Sequence, residues 1–124
     1  MNINEIVINC LKPLKMPVYP NNYSGKENEY IVFNYIDERP AIYGDNTDLV
    51  DITAIQVHCF TEQNPQIIKK KIRRYLRNGG FIITSTEEIS AHEEYRTSAS
   101  KPTRNYNHII VTAEIEGVIN DMED

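Results

Sequence analysis

The residues of this sequence that could carry chemistry are its three histidines, its two cysteines and two pairs of adjacent glutamates. His58 and Cys59 combine an imidazole base with a thiol, but they are consecutive residues in a run that alternates like a β-strand. Consecutive strand residues point to opposite faces of a sheet, so these two side chains cannot form a nucleophile–base pair. We interpret His58 as a strand histidine with a satisfied hydrogen bond or an interface position. Cys10 and Cys59 are interpreted as small buried hydrophobic residues rather than a disulfide.

Metal and phosphate chemistry is also weakly supported by the spacing of the residues. No second histidine or cysteine stands at zinc-ligand spacing from His92, and the paired glutamates lack the alternating oxygen ligands of a calcium loop. Gly79 and Gly80 follow a predicted helix, so they indicate a helix end and not a phosphate-binding loop. We therefore predict a protein that is not an enzyme and that needs no cofactor or metal.

The most clearly marked element is a helix with a strongly cationic surface. Asn64 is a suitable N-cap, and Pro65 suits the first helical position. Apolar residues recur at helical spacing and predict one buried stripe: Ile67, Ile68, Ile72, Tyr75 and Leu76. Basic residues fill the remaining surface: Lys69, Lys70, Lys71, Arg73, Arg74 and Arg77. One face of this helix should therefore pack on a core, and the other should meet a partner or solvent.

Two uses of the cationic face are consistent with the sequence. A nucleic-acid-binding module could contact phosphates through helix 64–78, although no stacking aromatic residue is interleaved on the exposed face. Alternatively, the cations could meet the acidic end of a neighbouring copy of the chain. The candidate assembly interface then comprises Lys69, Lys70, Arg73, Arg74, Arg77, Tyr30, Glu114 and Glu116.

Composition narrows the class of protein. A chain of 124 residues with 40% hydrophobic residues suits a single domain, 1–124, with a small core. The formal net charge of −5 argues against generic nucleic-acid binding. No apolar run approaches the roughly 18 residues of a membrane span, and the start of the chain lacks the basic residues of a signal peptide. We therefore expect a soluble intracellular product.

Hydrophobic patterning predicts the remaining elements. They are a short helix from Asn4 to Leu11, an extended segment at 16–20, and strands at 29–39, 50–61, 81–85 and 106–117. The polar stretch 86–105 predicts a long loop or a loosely paired hairpin arm, and 118–124 a flexible acidic tail. The order α-(β)-β-β-α-β-β predicts an α+β fold, an antiparallel or mixed β-sheet with two α-helices on one face. The strand edges at 30–37 and 108–116 are candidates for joining across subunits.

Several segments of the chain have a familiar order and length. They are Leu-Lys-Pro-Leu-Lys-Met-Pro-Val (11–18), Tyr-Ser-Gly-Lys (23–26), Glu-Tyr-Ile-Val-Phe-Asn-Tyr (29–35), Glu-Arg-Pro-Ala-Ile-Tyr-Gly-Asp (38–45), Ile-Gln-Val-His-Cys-Phe (55–60) and Lys-Lys-Lys-Ile-Arg-Arg-Tyr-Leu-Arg-Asn-Gly-Gly-Phe (69–81). Together they resemble the tail terminator, or tail completion, proteins of tailed phages and phage-like particles, of the lambda terminator type. The resemblance spans most of the chain and is weakest at 86–105 and after 117.

The resemblance implies a structural role and no catalytic residues. Such a protein forms a homo-oligomer, a hexameric ring that caps the tail tube, ends tail polymerisation and gives the head–tail connector a surface on which to dock. The implied partners are therefore the tail tube protein, the connector protein and, in a contractile tail, the sheath protein. DNA would meet the ring only in transit through its lumen. The implied location is the virion tail, assembled in the cytoplasm of the bacterial host.

Overall fold

A computed structural model of the chain describes residues 2–22, 28–42, 49–93 and 104–118, and within them leaves aside the side chains of 41–42, 49, 90–93, 104–106 and 118. The helices are α1 (Ile3–Leu11) and α2 (Pro65–Asn78), and a 3-10 turn (Lys12–Leu14) follows α1. The strands are β1 (Val18–Pro20), β2 (Tyr30–Ile42), β3 (Leu49–Thr61), β4 (Ile82–Glu93) and β5 (Arg104–Val118).

The five strands form one mixed sheet in the order β1-β2-β3-β5-β4. β1 runs parallel to β2, whereas β2–β3, β3–β5 and β5–β4 are antiparallel pairs. The predicted α+β class, a mixed sheet with two helices, is therefore confirmed. Sequence order does not give spatial order here, because β5 lies between β3 and β4.

The core lies between one face of the sheet, here called the inner face, and the two helices. Alternate residues of the long strands point into it, as the period of two requires. The buried core is formed by Val7, Leu11, Met16, Ile31, Phe33, Ile55, Val57, Cys59, Ile68, Ile72, Leu76, Phe81, Ile109, Val111, Ala113 and Ile115. The intervening strand residues point to the opposite, outer face, which none of the described helices covers.

Helix α1 begins earlier than the sequence suggested. Asn2, not Asn4, is the N-cap, and its Oδ1 accepts from the backbone N–H of Glu5 at 3.1 Å. Asn4 lies inside the helix, where its Oδ1 accepts from the hydroxyl of Tyr35 at 2.6 Å. Both asparagines fit the local capping rule, and in the structure Asn2 caps the helix while Asn4 contacts β2.

Helix α2 confirms the predicted caps. The Oδ1 of Asn64 accepts from the backbone N–H of Gln66 at 2.9 Å. At the other end, Gly80 has φ 100°, and the N–H groups of Gly80 and Phe81 donate to the carbonyls of Arg77 and Leu76 at 3.0 Å. This is a Schellman motif, and the buried Phe81 supplies its hydrophobic contact.

One member of the predicted apolar stripe does not reach the core. Ile67 is 51% exposed, whereas Ile68, Ile72 and Leu76 are buried. A step of one residue turns the helix by about 100°, so Ile67 lies on the flank of the stripe. At the end of the same helix, a Cβ on Gly79 would overlap the Sγ of Cys10, so the close approach of α1 and α2 depends on this glycine.

The strands are longer than predicted. β2 continues to Ile42, beyond the predicted end at Arg39, and passes through Pro40. Proline is tolerated there because, among the described residues, β1 pairs with β2 only from Ile31 to Phe33, so no strand lies beside Pro40 on that side. Residues 86–93 belong to β4 and pair with 104–111, so this part of the polar stretch forms a hairpin and not a loop. Val118 ends β5, whereas 94–103 and the rest of the predicted tail, 119–124, lie outside the described residues.

Candidate functional site

A shallow cationic groove runs along the solvent side of α2. It has a volume of about 360 Å³ and is lined by Lys70, Arg73, Arg74, Arg77 and Asn78. These positions fall three and four residues apart, so their side chains share one face of the helix. The buried Ile72 and Leu76 fix the rotation of α2, which is why this face points away from the core. Four of the predicted interface cations are thus brought together.

Arg73 differs from the other groove residues. Its side chain is half-buried, and its Nε has no hydrogen-bond partner among the described residues. Lys70, Arg74 and Arg77 are exposed. A guanidinium presents its donors in a rigid fork that fits a carboxylate or a phosphate. The groove is therefore suited to an anionic group supplied by a partner.

Lys69 does not line the groove. Its Nζ lies 2.9 Å from Oε1 of Glu88, and Gln66 donates to the same oxygen at 3.2 Å. Glu88 lies on β4, on the inner side of the sheet. The predicted interface residue Lys69 thus tethers the first turns of α2 to β4 within the subunit.

The predicted acidic residues lie on the outer face. Glu114 and Glu116 alternate with the buried Ile115, so they point away from the helices. Arg39 bridges two carboxylates here, with Nη1 2.8 Å from Asp37 and Nη2 3.4 Å from Glu114. The acids of β5 and the cations of α2 therefore lie on opposite sides of the sheet.

Tyr30, the remaining predicted residue, belongs to an aromatic row that crosses the outer face. Its ring stacks on Phe60 with centroids 4.9 Å apart, and Phe60 stacks on His108 at 4.3 Å. The row follows from the register, since Tyr30 pairs with Phe60 and Phe60 pairs with His108. The sequence alone could not group these three residues, because their register depends on which strands are neighbours.

His58 and His108 form a pair that the sequence did not indicate. The Nδ1 of His58 lies 2.8 Å from the Nε2 of His108, and the Nε2 of His58 lies 3.0 Å from the Oε1 of Gln56. Two neutral rings satisfy both contacts if His108 donates to His58 and His58 donates to Gln56. The predicted satisfied hydrogen bond of His58 is thus present.

Burial and proximity disfavour the charged forms of both rings. Burial lowers the pKa of His58. Burial and the neighbouring His58 together lower the pKa of His108 from 6.5 to about 4. Both rings are therefore neutral at neutral pH, which makes the outer face less polar than its residue types suggest.

Glu29 organises the turn that leads into α2. Its carboxylate accepts from the hydroxyl of Thr61 at 2.7 Å, from the backbone N–H of Glu62 at 2.9 Å and from Nε2 of Gln63 at 3.0 Å. Burial alone would raise the pKa of Glu29, but these hydrogen bonds outweigh it and lower that pKa. Glu29 therefore has a structural role, which is to hold the turn at 61–63 in place.

The cysteines are poorly placed for nucleophilic chemistry. Burial, with a smaller contribution from Glu29, raises the pKa of Cys59 to about 12, and burial also raises the pKa of Cys10. Across the described ranges, no three His, Cys, Asp or Glu side chains gather into a group that could hold a metal ion. In the same ranges, no helix is long and apolar enough to cross a membrane.

Comparison with known proteins adds no relative. The sequence matches no protein-family model. No curated protein matches it closely enough to be counted as a relative. The function is therefore inferred from two charged surfaces, the cationic groove of α2 and the acidic residues of β5, and from the order of the sequence segments described above.

Proposed function

We propose that this protein is a structural tail terminator of a tailed phage or phage-like particle, whose copies form a ring on the end of the tail tube. The observation that carries the self-assembly is the placement of opposite charges on opposite sides of one sheet. The order of the segments carries the assignment to tails. The ring would end tube polymerisation and offer a docking surface to the head–tail connector.

The charge distribution suits a head-to-tail contact. The groove cations Lys70, Arg74 and Arg77 are exposed on α2, whereas Glu114 and Glu116 lie on the outer face of the sheet. A two-fold dimer brings identical patches together, so a cationic patch would meet another cationic patch. A heterologous contact pairs the cationic side of one copy with the acidic side of the next, and such contacts close into rings.

The exposed charges are better explained by a partner than by folding. Exposed ion pairs contribute little to the stability of a fold. Glu88 binds Lys69 inside the subunit, whereas no carboxylate among the described residues forms an ion pair with Lys70, Arg74 or Arg77. We propose that these three cations meet a neighbouring copy, and the same surface could approach the tube, the connector or, in a contractile tail, the sheath.

A nucleic-acid-binding module is the second candidate function. The exposed groove cations Lys70, Arg74 and Arg77 favour it, because such side chains donate to phosphate oxygens. Against it, Tyr75 packs against the core, so α2 presents no stacking aromatic residue beside the groove. In the terminator, DNA would meet the protein only as it passes through the lumen.

A charge-swap experiment tests the proposal. Arg74→Glu/Arg77→Glu should abolish the self-association of the purified protein measured by sedimentation, with little change in Tm. Glu114→Lys/Glu116→Lys should do the same, and mixing the two variants should restore assembly. Lys71→Glu is the matched control, because Lys71 is exposed on α2 but does not line the groove.

Two results would contradict this function. One is a wild type that stays monomeric with and without tail tubes and binds DNA with an affinity that falls steeply with salt, which would favour the nucleic-acid module. The other is an equal loss of assembly in Lys71→Glu, which would show that net charge matters and the groove does not.

A further inference from the structure

We infer that copies of this chain join edge to edge, with β4 of one copy pairing antiparallel to the open part of β2, residues 34–39, of the next copy. The inference rests on the proposed ring, because it names the surfaces through which the ring would close. Edge pairing continues the sheet and keeps α2 of every copy on the same side, so it is a different contact from the one between the α2 cations and Glu114 and Glu116. If edge pairing closes the ring, the charge-swap variants should still assemble and the edge variants should not.

The first observation is that, among the described residues, the sheet has two long edges with unpaired backbone. Within these residues β4 pairs with β5 on one side and with no strand on the other. At the other end of the sheet, β1 covers β2 only from Ile31 to Phe33, so β2 is unpaired on that side from Asn34 onward among the described residues. Open edges present rows of free N–H and C=O groups and are templates for pairing with another chain.

These are not the edges that the sequence suggested. The segment 108–116 lies within β5, which is paired on both sides by β3 and β4 and cannot accept another strand. In the segment 30–37, only the residues after Phe33 are open. The structure therefore moves the candidate contact from β5 to β4 and shortens it on β2.

The directions of the strands fit continuation from copy to copy. β2, β3, β5 and β4 alternate in direction across the sheet. β4 of one copy laid beside β2 of the next therefore forms an antiparallel pair, and the alternation continues. Antiparallel pairing needs no change in either strand.

Exposed apolar side chains are concentrated on the same edges. The large hydrophobic residues exposed in the described chain are Tyr19 on β1, Tyr35 and Ile36 on β2, Ile67 on α2, and Ile82 and Ile89 on β4. All but Ile67 belong to an edge strand, and none belongs to the central strands β3 and β5. Ile82 is 63% exposed and Ile36 is 49% exposed. Ile82 and Ile89 share the outer face of β4, because they pair with Glu114 and His108 of β5, and covering them with a second copy would remove apolar surface from water.

The edge of β4 also lacks two common forms of protection. β4 contains neither lysine nor proline, the residues that commonly block an edge.

Pairing of β4 with β4 of a second copy would account neither for a ring nor for the exposed residues of β2. It would be isologous and would stop at a dimer. It would also leave Tyr35 and Ile36 exposed on the unused edge of β2. Pairing β4 with β2 covers both apolar edges, and it is heterologous, as ring closure requires.

The test uses one charged substitution on each edge. Ile82→Lys disables the edge of β4, and Ile36→Lys disables the edge of β2, so each variant alone should sediment as a monomer with its thermal unfolding retained. Their mixture keeps one intact edge of each kind and should form a heterodimer that does not grow. Ile67→Lys is the control, because Ile67 is equally exposed but lies on a helix, and it should assemble like the wild type.

Three outcomes would overturn the inference. A monomeric mixture would show that the two edges are not partners, and normal assembly of Ile36→Lys alone would indicate pairing of β4 with β4. Assembled wild type whose β4 amides exchange with solvent as fast as those of the Ile82→Lys monomer would exclude edge pairing while leaving a ring possible through other surfaces. Edge-paired rings that do not stop tube growth would instead overturn the proposed function alone.

Discussion

The two faces of the sheet are built from the same strands but have different chemistry. On β5, Ile109 and Val111 point to the inner face and are fully buried, whereas His108 and Ile110 point to the outer face and are half-buried. The inner face is mainly apolar, with Thr53 and Thr61 as buried polar residues, and it packs against two helices. The outer face combines aromatic rings, two neutral histidines and an ion pair between Arg39 and Glu114.

The difference separates folding from assembly. Burying apolar side chains stabilises a fold by about 1.5–3 kcal/mol for each large residue, so the inner face supplies most of the driving force for folding. The outer face contributes less to the free energy of folding of the isolated subunit, because its residues remain partly exposed to solvent. A face of this mixed character resembles the polar and aromatic surfaces that proteins use for contact with partners.

The largest expected effect comes from two adjacent isoleucines on β5. Ile109→Ala should lower the free energy of unfolding by about 2–5 kcal/mol, because it leaves a cavity in the core. Ile110→Ala should lower it by about 1 kcal/mol or less, because that side chain is half-buried on the outer face. Urea unfolding of the two variants measures both values. Equal losses would contradict the proposed division between the faces.

The helices were predictable because their signals are local. Asn64, Pro65 and Gly79-Gly80 give the limits of α2 without knowledge of the rest of the chain. The start of α1 was wrong because Asn2 and Asn4 satisfy the same local rule, and the choice depends on the contact between Asn4 and Tyr35.

The strands and the outer face depended on pairing that the sequence does not reveal. Residues 86–93 are polar and have weak strand propensity, but they pair with β5 residue by residue. His58 and His108 are distant in sequence and meet only because β3 and β5 are neighbours. The cationic surface was predictable from helical spacing, whereas the engagement of Lys69 with Glu88 was not.

A smaller effect is expected from acid, and it belongs to the outer face. The folded pKa of His108 is lowered from 6.5 to about 4, so the unfolded chain binds protons before the folded chain does. The contribution of the neutral pair is therefore complete above about pH 6.5 and is lost as the pH falls toward about 4. Over this interval the wild type should lose about 4 °C of Tm more than His108→Gln loses.

The comparison with His108→Gln isolates the histidines from the carboxylates, which also titrate in acid. Both proteins carry the same carboxylates, so their contribution is common to the two curves. The account is contradicted if the two proteins lose Tm in parallel from neutral pH to about pH 4.

The smallest expected effect on stability comes from removing an ion pair, and the two faces of the sheet carry one such pair each for comparison. Lys69 and Glu88 lie 2.9 Å apart and their side chains are 20% and 25% exposed, whereas Arg39 and Glu114 lie 3.4 Å apart with Arg39 45% exposed. Lys69→Ala should therefore lower the free energy of unfolding by about 0.5–1 kcal/mol, and Arg39→Ala should lower it by less. Chemical denaturation of both variants gives the two values, and a larger cost for Arg39→Ala would reverse the comparison.

Electron microscopy of the purified protein mixed with growing tail tubes would decide whether it acts as a terminator. We expect a ring of subunits on one end of each tube, and tubes that stop growing once the ring is bound. Tubes that continue to grow with no additional density at either end would contradict it.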